Sequence, residues 1–131
     1  MADTHRWSTT LYLLNAALLF THEIDSAFWE EWTLFGLPGG IQLFLVLNFV
    51  LLLAFLYGYG LLVAGRRTGD WFALLLAGAG LFAVVAHGFF LATGHPEFRL
   101  PVSLALLAAT AVVSPVQAWL AVAALRSPSH D

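Results

Sequence analysis

The groups best equipped for chemistry sit where an apolar helix would ordinarily carry none. After the run 11–20, interrupted only by Asn15, the chain reads Thr21-His22-Glu23-Ile24-Asp25-Ser26. In hydrocarbon each ionisable side chain costs at least about 2.5–3.5 kcal/mol on insertion scales, so such a group calls for a partner or a task. At helical spacing Asn15, His22 and either Asp25 or Ser26 share one stripe, with Glu23 one position round and Glu30 repeating it seven residues on. A His-x-x-Asp pair can hold a metal ion or share a proton, much as bundles build metal sites from Glu-x-x-His pairs. Imidazole with hard carboxylate oxygens suits zinc, manganese or non-haem iron. Without a metal, a buried carboxylic acid can exchange a proton with an alkene or carbonyl while a histidine acts as its partner. A second histidine, His87, interrupts the apolar stretch Val84-Val85-Ala86-His87-Gly88-Phe89.

These residues need a scaffold, and the composition names its class. The chain has 131 residues, of which 60% are hydrophobic and 10% charged, and its mean hydropathy is +0.84. That leaves too little polar surface to cover a water-soluble globule, so an all-α integral membrane protein is expected. Spans of about 20 apolar residues are found at 41–63, 71–91 and 100–125, and a fourth helix over 8–32 carries the polar groups in its second half. The reading is a single transmembrane domain, 1–131, forming a four-helix bundle. A ten-residue apolar core at 11–20 also has the length of a signal-peptide core, with cleavage near Ser26-Ala27. The lone Arg6 beside Asp3 and the lack of a small-x-small site favour a retained helix.

Breaks fall at Gly65-Arg66-Arg67-Thr68-Gly69-Asp70 and at Ala92-Thr93-Gly94-His95-Pro96-Glu97-Phe98-Arg99. Pro101 suits a first helical turn, and Ser114-Pro115 is expected to kink the last helix. Leu37-Pro38-Gly39-Gly40 reads as a turn, and the tail Arg126 to Asp131 as frayed. With four spans, Arg6, Arg66, Arg67 and Arg126 share one side and Arg99 alone occupies the other. The positive-inside rule then puts both termini in the cytoplasm, in a bacterial host at the inner membrane.

Charge and residue types exclude other functions. Five Arg and no Lys against 8 acidic residues give a net charge of -3, so no basic stripe exists for nucleic acid. Zero Cys removes thiolate sites and disulfides. Any metal must be held by His, carboxylate or amide groups.

Depth brings the polar residues together. At 1.5 Å per residue, His22 lies about 20 Å along a helix beginning near Ser8, and His87 about 24 Å along one beginning near Trp71 on the same side. Gln42, Asn48 and Ser103 on the returning helices fall at similar heights, which predicts a polar pocket opening outward. Plainer readings compete for each residue. His87 can be a core histidine bonded to a carbonyl, Glu30 and Glu31 flanked by Trp29 and Trp32 suit a membrane interface, Arg99 can contact headgroups or pair with Glu97 or Glu31, and His95 suits a turn. His5 and His130 are terminal. Gly58, Gly60, Gly78, Gly80 and Gly88 suggest close packing by small residues.

The stretch from His22 through Glu23, Asp25 and Trp29-Glu30-Glu31-Trp32 to Leu37-Pro38-Gly39-Gly40-Ile41-Gln42 resembles a family of small uncharacterised bacterial four-helix membrane proteins. The order of features, with His and acids late in the first helix, His in the third, and Arg then Pro at the fourth, also resembles the HxxEE membrane proteins. That pattern wants acids three and four positions after the His; here only Asp25 stands at one of them. The resemblance implies a site at His22, Asp25 and His87, and assigns no activity. A looser organisational similarity is to emopamil-binding-type sterol isomerases, which set His and acids in a small bundle for proton transfer.

The leading expectation is a membrane-embedded enzyme or metal-binding protein acting on a lipophilic small molecule. Its site is His22, Glu23, Asp25 and His87, with His22, Asp25 and His87 as the metal ligands (Zn, Fe or Mn) and Gln42, Asn48, Glu30, Glu31 and Arg99 in support. The rival is a non-catalytic accessory subunit or scaffold, in an oligomer or larger membrane complex, docking through Glu30, Glu31, Glu97 and Arg99 or through the Gly78 and Gly80 face. An ion conductor is disfavoured because 61–63 and 72–80 hold no ionisable residue.

Overall fold

The structure is a computed structural model that describes residues 2–127; the tail segment 128–131, with His130, lies outside the described residues. Four long helices, α1 (Ala2–Phe28), α3 (Gly40–Val63), α4 (Arg67–Ala92) and α5 (Pro101–Arg126), are joined by short turns and by a single-turn helix α2 (Glu31–Leu34). Helices α3, α4 and α5 are each long and apolar enough to cross a membrane. Helix α4 packs most extensively on α5 and then on α3, and α1 lies chiefly against α5.

Helices α3, α4 and α5 begin and end within a few residues of the apolar runs 41–63, 71–91 and 100–125, whereas the expected first helix divides. It ends at Phe28, Trp29 and Glu30 form a turn, and Glu30 adopts the left-handed conformation (φ 51°) before Glu31 restarts a helix. The break reverses the chain. Gly39 (φ 87°) and Gly40 (φ 57°) make the next turn into α3, taking positive φ that L side chains adopt only with strain. Helix α5 runs from Pro101 at its first turn through Pro115 without ending there.

Polar residues share the inside of this bundle with a core of Tyr12, Leu19, Phe55, Leu62 and Leu76, and many large apolar residues lie on its outside. Asn15, Ser26 and Ser114 are fully buried, with His22, His87, Ser103, Thr110 and Gln117 nearly so, while Trp7, Phe49, Phe82, Val85 and Trp119 are exposed. Buried polar groups together with an apolar outer surface are the arrangement favoured in hydrocarbon, where polar groups seek one another. On α1 the buried stripe is Tyr12, Asn15, Leu19, His22 and Ser26, at spacings of three and four. On α5 it is Ser103, Leu107, Thr110, Ser114, Gln117 and Ala121.

Long-range hydrogen bonds join the stripes. Tyr12 donates its hydroxyl to the Phe55 carbonyl at 2.8 Å, Ser114 donates to Asn15 Oδ1 at 3.2 Å, and the Gln117 amide donates to the Ala73 carbonyl at 2.8 Å. Arg67 donates to the Leu125 carbonyl, capping the last turn of α5 with a cation from the start of α4.

Close approach of α4 to its neighbours depends on small residues. A Cβ on Gly80 would meet Ser114 Oγ, Thr110 Cγ2 and Asn15 Oδ1, and one on Gly69 would meet the Leu62 backbone. Gly78 and Gly88 face open space, so the pair Gly78 and Gly80 does not form one outward face. Gly80→Val is therefore expected to destabilise the fold by about 1–3 kcal/mol, the usual cost of overpacking, and Gly78→Val by less; reversible unfolding of both variants in mixed detergent micelles checks the order.

Candidate metal centre

The break after Phe28 decides the composition of the site. Had the first helix continued, Glu31, nine residues after His22, would stand about 180° round the helix from it. Because the chain turns at Trp29 and Glu30, Glu31 instead returns to the bundle axis. Its Oε1 lies 3.4 Å from His87 Nε2. His22 faces His87 from α1, edge to face, with ring centroids 4.5 Å apart. One ligating atom from each of His22, Glu31 and His87 lies within 4.8 Å of the others.

Several polar atoms of this group are unsatisfied by protein partners. His22 Nδ1, His87 Nδ1 and Glu31 Oε2 are buried with no hydrogen-bond partner, an arrangement that costs about 1–3 kcal/mol per group unless something binds there. The Ser26 hydroxyl lies 3.5 Å from His22 Nε2. The Glu31 carboxyl, in α2 and outside the long helices, is held below the usual carboxylate range. Burial alone would raise it, and this is outweighed by hydrogen bonding to His87 and Ser26 and by the two facing imidazoles. Glu31 therefore sits ready as an anionic ligand.

Phe98 walls the site. Its ring is fully buried, with its centroid 4.1 Å from that of His87, 5.8 Å from His22 and 6.3 Å from Trp29. The backbone at Phe98 is left-handed, φ 64°, a conformation costly for a bulky residue and kept only where packing enforces it. Phe90 covers a further side of His87 at 6.1 Å. The pair His22 and His87 is thus enclosed by aromatic rings, with Glu31 at the outer rim.

The other expected residues are distributed around this centre. Asp25 is half-buried, one of its oxygens lacking a partner, and is not among the three converging ligands. Glu23 and Asn48 meet instead on the flank between α1 and α3. Gln42 is exposed, and Glu30 is exposed at the turn it forms. Arg99 is exposed and donates from Nε to the His95 carbonyl at 3.0 Å, and His95 Nδ1 lies 3.5 Å from Glu97 Oε2. Ser103 is buried as its depth suggested. By sequence alone Glu31 is a supporting, interfacial group, and Phe98 is not among the expected site residues. A lone aromatic inside the polar turn Gly94-His95-Pro96-Glu97-Phe98-Arg99 was the available signal for the latter.

Two histidines and one carboxylate from three elements, with positions left open, form the donor set of catalytic zinc sites and of non-haem iron centres. Tetrahedral donors about 2.1 Å from an ion stand about 3.4 Å apart, so the three side chains need to close by about an ångström to share one. The class is thus a small helical bundle with a buried two-His, one-Glu cluster near one end. Residues 8–124 match DUF6713, a family of unknown function, and the chain belongs to that family. No curated protein and no solved structure matches it.

Proposed function

We propose that the protein is an integral membrane metalloprotein that binds one divalent transition metal through His22, His87 and Glu31, and uses it on a lipophilic small molecule. The observation that carries this reading is the convergence of two buried histidines and a half-buried glutamate, each with an unsatisfied polar atom, in otherwise apolar surroundings. A metal bound there would act as a Lewis acid or supply an activated water. The residues of the chain do the rest: His22 and His87 are fixed by their helices, Glu31 supplies the negative charge, and Phe98 excludes solvent.

Four spans, α1, α3, α4 and α5, fit the many large apolar side chains on the outside and the placement of tryptophans. Trp7, Trp71 and Trp119 are exposed near one end of the bundle, and Trp29 and Trp32 lie near the other, as expected of aromatic belts at two interfaces. Arg66, His5 and Ser127 gather around one cavity of about 350 Å³ at the end opposite the metal centre. That end carries most of the arginines, which supports cytoplasmic termini and a metal centre near the outer face of a bacterial inner membrane.

Cobalt(II) titration of the purified chain tests the proposal. Intense visible absorption bands, saturating at one equivalent, are expected at pH 7.5. The apparent affinity should fall as pH is lowered through the range in which imidazoles protonate, because proton and metal compete for the same nitrogen atoms. Weak, octahedral-type absorption that does not saturate would contradict the site.

A further inference from the structure

A second feature lies on the flank of the bundle. Helices α1 and α3 diverge to leave an open groove of about 670 Å³, within the size range of small-molecule pockets. Phe20, Ile24, Leu45 and Phe49 are among its walls, and Glu23 and Asn48 are the polar groups that face it. The groove faces outward from the bundle, where hydrocarbon would meet it.

Its polar chemistry is one-sided. Asn48 donates from Nδ2 to the Phe44 carbonyl at 3.1 Å, and its Oδ1 is buried with no partner. Glu23 lines the same groove beside it. Among the described residues, no Arg or His forms an ion pair with Glu23. The groove therefore presents a carboxylate and an unpartnered amide oxygen, both acceptors, with no cation paired to the carboxylate among the described residues. A bare acyl chain would fill the walls and leave the carboxylate facing hydrocarbon, which is costly.

We infer that this groove binds a lipophilic amine, its ammonium group held by Glu23 and Asn48 Oδ1 and its hydrocarbon tail lying between α1 and α3. The depth agrees with the chemistry. Glu23 is five residues before the end of α1, about 8 Å along the axis, so a cationic head reaches it from the interface while the tail extends past Phe20 and Phe49. This ligand site shares no residue with the His22, His87 and Glu31 cluster and does not require a metal there.

The test is equilibrium binding of hexadecylamine to the full-length protein in phosphatidylcholine nanodiscs, with empty nanodiscs subtracted and hexadecanol as the neutral probe of equal chain length. Saturable uptake of one amine per chain is expected, at least tenfold tighter than for the alcohol. Glu23→Gln should lose at least tenfold in amine affinity with little change for the alcohol, and Leu45→Trp, which fills the groove without touching the carboxylate, should lose both. His87→Ala should bind the amine as the wild type does, which separates this site from the metal centre. Equal amine affinity in wild type and Glu23→Gln, no preference over the alcohol, or undiminished binding in Leu45→Trp would each overturn the inference.

Discussion

Glu31→Gln is expected to weaken zinc binding by more than the 10- to 100-fold that loss of an outer-sphere partner costs, while Asp25→Asn leaves it within a few-fold of wild type. The contrast is informative because helix periodicity favours Asp25 and the folded chain favours Glu31. Glu31 faces His87 across 3.4 Å and is the one carboxylate in the converging trio. Gln preserves its shape and removes only the charge, so a difference between the two variants reports ligation rather than packing. Competitive titration of purified protein against a chromophoric zinc chelator at pH 7.5 measures both. Equal losses in the two variants would point to general electrostatics instead of a bond to Glu31.

Phe98→Ala is expected to cost about 3–5 kcal/mol, the range for deleting a buried aromatic, and to open the histidine pair to water. Two properties of Phe98 make its replacement diagnostic. Its ring closes the site against His22, His87 and Trp29, and its backbone occupies the left-handed region at φ 64°. Alanine forfeits the packing and keeps the backbone strain; glycine forfeits the packing and relieves the strain, which is worth about 1–2 kcal/mol. Phe98→Gly should therefore be at least as stable as Phe98→Ala, the reverse of what a strand or helix position would give. Unfolding midpoints in mixed micelles, read by tryptophan fluorescence, give the order.

How much of this was legible beforehand follows from what each feature depends on. Helices α3, α4 and α5 are continuous apolar runs bounded by Gly, Pro and Arg, and length alone sets them. His22 and His87 were legible as a pair because both lie on helices whose rise fixes depth. Asn15 followed from the stripe it shares with His22, which left Asp25 and Ser26 as alternatives for the next turn. The position of Glu31 was not legible, because it depends on a single left-handed residue, Glu30, that ends one helix and starts another; nothing local in Trp29-Glu30-Glu31-Trp32 requires that break. Phe98 was hidden for a similar reason. Its role arises from a loop folding back over the bundle, and loop paths are set by tertiary contacts rather than by periodicity. Gly80 was correctly read as a packing residue, yet only the bundle tells it apart from Gly78, two positions away and open to the outside.

The central claim is that His22, His87 and Glu31 form one metal centre, and metal content per chain tests it most directly. Protein purified in detergent after growth with supplemented zinc, iron and manganese should carry close to one equivalent of a single metal by elemental analysis. His22→Ala and His87→Ala should each lose it while remaining folded and monodisperse. Well-folded wild-type protein without bound metal, or a metal retained at full stoichiometry in both histidine variants, would contradict the claim.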